Sequence, residues 1–419
     1  MSDFKKEFNI LIKRNGFWLL LSFILGLIFL GLSQMKSLED SHKSIIDSAN
    51  SLNKIAGIEE RYDKNTVVSE DFYKKLDPVF EKMAKKYDYK KYITYLSEKN
   101  SSIEQIEEYN EMREKNRDFL DILQNYEILR DNLEYKNDYF FYDYIVLMGF
   151  FFILVVGVLF SSLEHATSYY EFSKTFPWTT KKDFLMKFIL GSGLILGFLI
   201  IGNLLSFMIL QNSNFLVDNL GKDLILSFIR SFGFLLASFL VVLSAGFMAG
   251  NILGHGILTI FVFFFVDILN GLVSNLYNVF TGNILSYDEG IYGIIDKVFP
   301  TGSGRLNEMI RTILRPMNEY SYSWSSLLGF IIFALICFLI SYNLLCKIKT
   351  EKSGVMILFK PFEILIKTIL ILLLASIGAL IFQSTIFEGF SLVGILIFIL
   401  LVFVFTKIFN ILFKIRLKV

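Results

Sequence analysis

Residues 141–210 read FYDYIVLMGFFFILVVGVLF, then SSLEHATSYYEFSKTFPWTTKKDFLMK from Ser161 to Lys187, then FILGSGLILGFLIIGNLLSFMIL. Two apolar runs of about twenty residues, each able to cross a hydrocarbon layer as a helix, flank a polar, lysine-bearing bridge. The bridge is too short for a domain. Glu164 and His165 lie where the first run ends, and Phe176-Pro177-Trp178 breaks the chain. Thr179-Thr180 then precedes Lys181-Lys182-Asp183 and a renewed helical pattern. The stretch therefore reads as a membrane hairpin with a polar turn.

The same pattern recurs along the chain. Of 419 residues, 54% are hydrophobic and only 19% charged, too apolar for a soluble globular protein. The apolar residues form long continuous runs, not the short alternating segments of a β-barrel. The expected fold is an all-α polytopic membrane protein with about eight transmembrane helices and an extracellular helical domain between spans one and two. Its expected parts are a cytoplasmic amphipathic interfacial helix (1–16), a first span (17–34), the extracellular helical domain (35–140), a second span (141–161) and a cytoplasmic hairpin (162–187). Spans three to five (188–275), an outer loop with an amphipathic helix (276–325), a sixth span (326–346), a basic linker (347–363) and spans seven and eight with a basic C-terminus (364–419) complete it. Phe17–Ser33 has no small-residue cleavage site after it and reads as a retained span.

Within residues 3–15, Phe4, Phe8, Leu11 and Ile12 share a helical face, with Lys5, Lys6, Lys13 and Arg14 elsewhere. Two readings stand equal: a helix in the headgroup layer, or a basic flank that orients the first span. Both place the N-terminus in the cytoplasm. Residues 36–140 carry 23 acidic and 18 basic side chains, a net −5 in a chain whose total is +1. Leu38, Ile45 and Leu52 continue the first helix beyond the span, and Gly57 is its expected stop. Ser69 opens a second helix with Phe72, Leu76 and Phe80, and Ser101-x-x-Glu104 reads as a capping box for a third. On that third helix Phe119, Ile122, Tyr126, Leu129 and Leu133 form the expected apolar stripe. The first and third helices would pair antiparallel beneath the second. Ten of the 20 tyrosines fall between Tyr62 and Tyr139, more in keeping with an aromatic-rich core than with a ligand surface.

Lysine and arginine concentrate in the short segments on the same side of the membrane as the N-terminus, which sets the positive-inside orientation and puts both termini in the cytoplasm. Residues 276–325, with Lys297, Arg305, Arg311 and Arg315, run against that bias. There Leu306, Ile310 and Ile313 share a face and Pro316 ends the pattern, as in a helix lying on the outer surface.

No GxxxxGK[ST] phosphate loop, ligand-spaced histidine set or nucleophile triad occurs, so no ATP hydrolysis by that chemistry, no metal site and no catalytic residue is expected. Cys337 and Cys346, nine residues apart on one helix, are separated by roughly 13 Å and cannot bridge each other. Arg230 and Asp267 sit inside apolar runs, both about 10–12 Å below the outer surface at about 1.5 Å per residue. They are expected to form an intramembrane charge pair; a static pair, or an arginine that snorkels alone while the aspartate is protonated, is favoured over a gate that senses a passing polar group. Asn203, Asn251, Asn270 and Asn275 read as interhelical glue, and Gly246-x-x-x-Gly250-x-x-x-Gly254 as a site of close helix approach.

The hairpin carries a family resemblance. A basic N-terminus, a first span, a second span ending in Glu164, then Ala166-Thr167, Phe176-Pro177, Thr180-Lys181 and Lys187 resembles the permease subunit of bacterial ABC-2 type ABC transporters, specifically exporters. Ala, Phe and Met186 replace the family's usual Gly, Leu and Gly. The resemblance covers the first six spans. It implies that Tyr169–Thr175 is a coupling helix docking on a separate ATPase subunit. It also implies that Glu164, His165, Tyr169, Tyr170, Glu171, Phe172, Lys174, Phe176, Pro177, Trp178, Lys181 and Lys182 couple the two. The implied partners are ABC ATPase subunits, a second permease in a homo- or heterodimer and the lipid bilayer, with no nucleic acid. ATP and Mg would be bound by the ATPase, and no cofactor by this chain. The implied cargo is an amphipathic, peptide- or lipid-like substrate. The alternatives are an ABC-type antibiotic-peptide sensing or resistance complex, and a non-transport membrane scaffold with an extracellular binding module.

Overall fold

The computed structural model describes residues 3–91, 93, 103–167, 179–215, 220–317, 323–345, 354–386 and 391–416. Among them the fold is all-α. Its helices are α1 (Asp3–Ala56), α2 (Glu70–Lys86), α3 (Ile103–Phe160), α4 (Ser162–Ala166), α5 (Thr180–Gln211) and α6 (Leu220–Met248). They continue as α7 (Ile252–Phe263), α8 (Phe265–Thr281), α9 (Ile291–Val298), α10 (Arg305–Leu314), α11 (Trp324–Leu344), α12 (Lys360–Ile386) and α13 (Ser391–Leu412). No strand occurs among the described residues, only two isolated bridges. Seven helices are long and apolar enough to cross a membrane, and the bent pair α7–α8 makes up to eight. The chain thus has the character of a multi-pass membrane protein.

Two departures from the sequence reading concern helix ends. Residues 3–16 are the first turns of α1 rather than a separate helix, and α1 runs on to Ala56 before Gly57 stops it at φ 73°. The fifth apolar run is not straight. It bends by 79° at Phe264, with neither proline nor glycine at the break.

The chain divides into two compact units. One comprises Leu25–Met148 and Leu199–Ile229. Its core joins Ile45, Ala49 and Leu52 of α1, Phe72, Leu76 and Met83 of α2, and Leu120, Leu123 and Tyr126 of α3. Ser69 caps α2 by accepting from the Phe72 amide. On α3 Tyr126 is buried and Leu129 packs against the core as expected; Leu120 and Leu123 join them fully buried, and Phe119 stacks on Tyr87 with ring centroids 4.5 Å apart. Asn116 leaves helical geometry at φ −128°, ψ 19°, a kink just before that stripe begins. Ser101 and the expected capping box lie outside the described residues. Tyrosines do pack this core: burial, then the Asp77 carboxylate, pushes the Tyr126 phenol well above its ordinary range. In the same unit α1 runs parallel to α5, with Gln34 Nε2 donating to Ser206 Oγ at 2.8 Å, both side chains buried.

The other unit comprises Met1–Ile24, Gly149–Phe198 and Arg230–Val419. Here α6 is the buried centre. Phe188 and Phe239 stack at 6.0 Å and Phe184 meets Phe247 at 5.0 Å, so α5 is antiparallel to α6. Phe234 stacks on Phe330 at 4.6 Å and Ser341 Oγ donates to the Ser244 carbonyl, so α11 is parallel to α6. The end of α7 returns to the first turns of α11, with Phe263 stacked on Phe330 at 6.4 Å. Val279 of α8 packs with Ala375 and Ala379 of α12 and Phe398 of α13.

Candidate functional site

The hairpin's first descending residues decide its geometry. After α3 ends at Phe160, Ser161 takes up φ −131°, ψ −80°, and one turn, α4, holds Ser162, Glu164 and His165 fully inside the protein. A carboxylate so buried needs cations and donors close by. Glu164 has both: it accepts from the Arg14 guanidinium of α1 and from Lys187 Nζ of α5, the latter at 2.5 Å. Lys187, 2% exposed, also meets Asp183 one turn earlier at 2.9 Å. Asn15, next to Arg14, donates to the Leu159 carbonyl at 3.0 Å. Three apolar helices are therefore fastened at one end by a single buried ionic cluster.

The same turn is fastened to α6 and α7. His165 Nδ1 donates to the Ala249 carbonyl at 2.6 Å. His255 donates from Nε2 to the Val242 carbonyl at 2.9 Å, so its Nδ1 accepts from Ser162 Oγ, also at 2.9 Å. A serine–histidine pair of this geometry could activate a nucleophile in an open site. Ser162 is 0% and His255 2% exposed, so here it ties two helices together.

Across the α6–α7 turn lies a strap, residues 354–358. Gly250 N donates to the Met356 carbonyl, Gly354 N to the Gly250 carbonyl and Leu358 N to the Met248 carbonyl, at 3.0–3.2 Å. Asn251 caps α7 through the Gly254 amide and donates to the Gly354 carbonyl at 2.9 Å. The glycine ladder expected to ease helix contact thus admits a strand of backbone. A β-carbon at Gly254 would overlap the Met356 carbonyl, and one at Gly246 the Ser161 hydroxyl.

Of the expected coupling residues, Glu164 and His165 are interior struts, not docking surface. Lys181 and Lys182 open α5, whose amide at Lys182 bonds the Thr179 hydroxyl. Lys181 Nζ lies 4.3 Å from the Tyr342 ring centroid and Lys182 is exposed. Tyr169, Tyr170, Glu171, Phe172, Lys174, Phe176, Pro177 and Trp178 lie outside the described residues. Arg14 and Lys187 were missed as partners of Glu164. Their signal was the acid itself, placed at the end of an apolar run.

The expected Arg230–Asp267 pair is replaced. The Tyr292 hydroxyl donates to Asp267 at 2.5 Å, and Arg315 Nε lies 3.6 Å from it. Arg230 sits over the Trp324 ring at 5.2 Å. Depth matching assumed a straight fifth span, and the bend three residues before Asp267 turns it toward α9 and α10. On α10 the buried residues are Arg311 and Thr312, while Leu306 is exposed, because the polar face bonds the protein. Arg311 meets Asp296 at 2.5 Å, and the Tyr287 hydroxyl donates to Asp296 at 2.7 Å.

Burial draws the Asp296 pKa upward, but the Tyr287 and Arg311 hydrogen bonds outweigh it and hold the carboxyl below its ordinary value. A depressed carboxylate contributes stability that is present above its unfolded pKa and is lost as pH falls through the folded one. Residues 287–315 should keep hydrogen-exchange protection at neutral pH and lose it on acidification below the ordinary carboxylate range. Asp296→Asn should remove that acid step; an unchanged step in the variant would assign it elsewhere.

Among the described residues no cluster of three or more His, Cys, Asp or Glu side chains could hold a metal ion. No protein-family model, no curated protein and no solved structure matches the chain.

Proposed function

We propose that this chain is the membrane-spanning permease subunit of an ATP-driven exporter, set in motion by a separate ATPase acting through the 164–182 hairpin. On this reading it works with a second permease, identical or related, and moves an amphipathic substrate. It crosses a plasma membrane eight times, with both termini cytoplasmic and the α1–α2–α3 helical block outside. One observation carries the reading: Glu164 fastens α1, α3–α4 and α5 together beside the hairpin through Arg14 and Lys187. A load applied to the hairpin would then reach three crossing helices at once, through charges that cannot be separated cheaply in the interior. The sequence resemblance of the hairpin supplies the identity of the motor.

The test is capture of the full-length chain from its own membranes in mild detergent. The expected result is recovery of a phosphate-loop ATPase in near-stoichiometric amount, with reciprocal capture by that ATPase. Recovery of the intact chain with no nucleotide-binding protein would defeat the proposal and favour a membrane scaffold.

A further inference from the structure

A cleft of about 840 Å³ opens in the unit that contains the outer half of α1. That volume lies within the range of about 300–1,000 Å³ usual for sites that hold one small molecule. Its walls are one face of α1, the loop around residues 62–65 and the end of α5 at 208–215. The α1 and α5 apolar runs end together here, because the two helices are parallel and clasped by Gln34 and Ser206 one turn below. At that boundary Met35 and Met208 line the cleft yet remain 56% and 61% exposed, joined by Leu38, Ile209 and Phe215. The apolar part is thus reached from the level of the hydrocarbon edge.

Beyond it the lining turns polar and carries both signs of charge. Glu39, Lys43 and Asp47 follow one another on α1 at four-residue steps, a rise of about 6 Å each. Asp63 and Lys64 face them from the loop. Glu39, Lys43, Asp47 and Lys64 are exposed and make no ion pair among the described residues, although the four-residue spacing on α1 would allow it. The walls are nonetheless fixed. Asn50 and the Tyr62 backbone exchange two hydrogen bonds, His42 Nε2 donates to the Thr66 carbonyl, and Asn214 donates to the Lys64 carbonyl.

We infer that this cleft binds a zwitterionic phospholipid, its headgroup between the α1 charges and the loop and its chains returning past Met35 and Met208 into the bilayer. A lysine with a carboxylate one turn to either side presents a phosphate site beside an ammonium site, the two charges that an ethanolamine or choline headgroup carries. A purely anionic lipid would face three carboxylates. The inference needs only that α1 and α5 leave a membrane at this level, and it stands whether or not an ATPase moves the chain.

The test uses delipidated full-length protein in detergent, offered phosphatidylethanolamine, phosphatidylglycerol or a short cationic amphipathic peptide. A photoactivatable phosphatidylethanolamine should crosslink within residues 35–65 and 208–215 and bind about tenfold more tightly than phosphatidylglycerol. Met208→Trp, which fills the apolar end, should lower that binding about tenfold. Glu39→Gln with Asp47→Asn, on an exposed face where folding is not at stake, should abolish the preference for the zwitterion by admitting phosphatidylglycerol as well. Equal retention of both lipids, or crosslinks unchanged by both variants, would overturn the proposal. Binding of the peptide with exclusion of lipid would overturn it in favour of a peptide site.

Discussion

Glu164→Gln should lower the unfolding free energy of the protein by about 3–5 kcal/mol, the range expected when one member of a buried ion cluster is neutralised. The variant keeps the shape of the side chain but removes the carboxylate that both Arg14 and Lys187 meet, leaving Asp183 to Lys187, which has almost no access to water. Lys187→Met alone strands carboxylates instead and should also be costly. The informative variant is the double. Glu164→Gln with Lys187→Met restores electrical balance around Arg14 and Asp183, so its loss should be smaller than the two single losses added together, by at least about 1.5 kcal/mol. Denaturation in mixed micelles of increasing detergent strength would measure all three. Additive losses would mean that the cluster is a set of independent surface charges, contrary to its burial.

Gly254→Ala and Gly256→Ala should separate sharply, although they lie two residues apart on α7. At Gly254 the new methyl group meets the backbone of the strap, which cannot rotate away as a side chain would. Overpacking of this kind costs about 1–3 kcal/mol or more. The strap's bonds to Met248 and Gly250 should be lost with it, exposing the 354–358 amides to exchange. At Gly256 nothing lies within 4 Å of the added carbon. There the substitution should be neutral or stabilising by up to about 1 kcal/mol, the helix propensity of alanine over glycine. Equal effects at the two sites would show that the strap does not sit across α7.

The sequence made local features legible and left distant ones hidden. Apolar runs marked the crossing helices, Gly57 marked the end of α1, and Ser69 marked the start of α2, because each is decided by a residue and its near neighbours. On α3 Tyr126 and Leu129 were placed correctly, but Leu120 and Leu123 were missed, because their burial depends on what packs against that face. Glu164 was singled out, but Arg14 lies 150 positions away and could only be found by folding the chain. The burial that makes Glu164 and His165 interior struts is a tertiary property as well. The strap at 354–358 bonds through its main chain, which leaves little trace in side-chain identity. Arg230 and Asp267 were paired by counting along straight helices, and the count failed at an ordinary phenylalanine.

That phenylalanine distributes stiffness unevenly through the bundle. A straight helix such as α1 can bend only by stretching hydrogen bonds along its ladder. At Phe264 the backbone already sits at φ −114°, ψ 24°, outside the helical well. Its amide still bonds the Ile260 carbonyl at 2.9 Å, and its carbonyl still accepts from the Ile268 amide at 2.8 Å. The angle between α7 and α8 can therefore open or close by turning the two dihedrals of one residue while both bonds hold. Compliance is concentrated at a single hinge. On one side of it His255 clamps α7 to α4; on the other, Val279 packs α8 against α12 and α13. Any working stroke passed between those two groups of helices meets its softest element at Phe264.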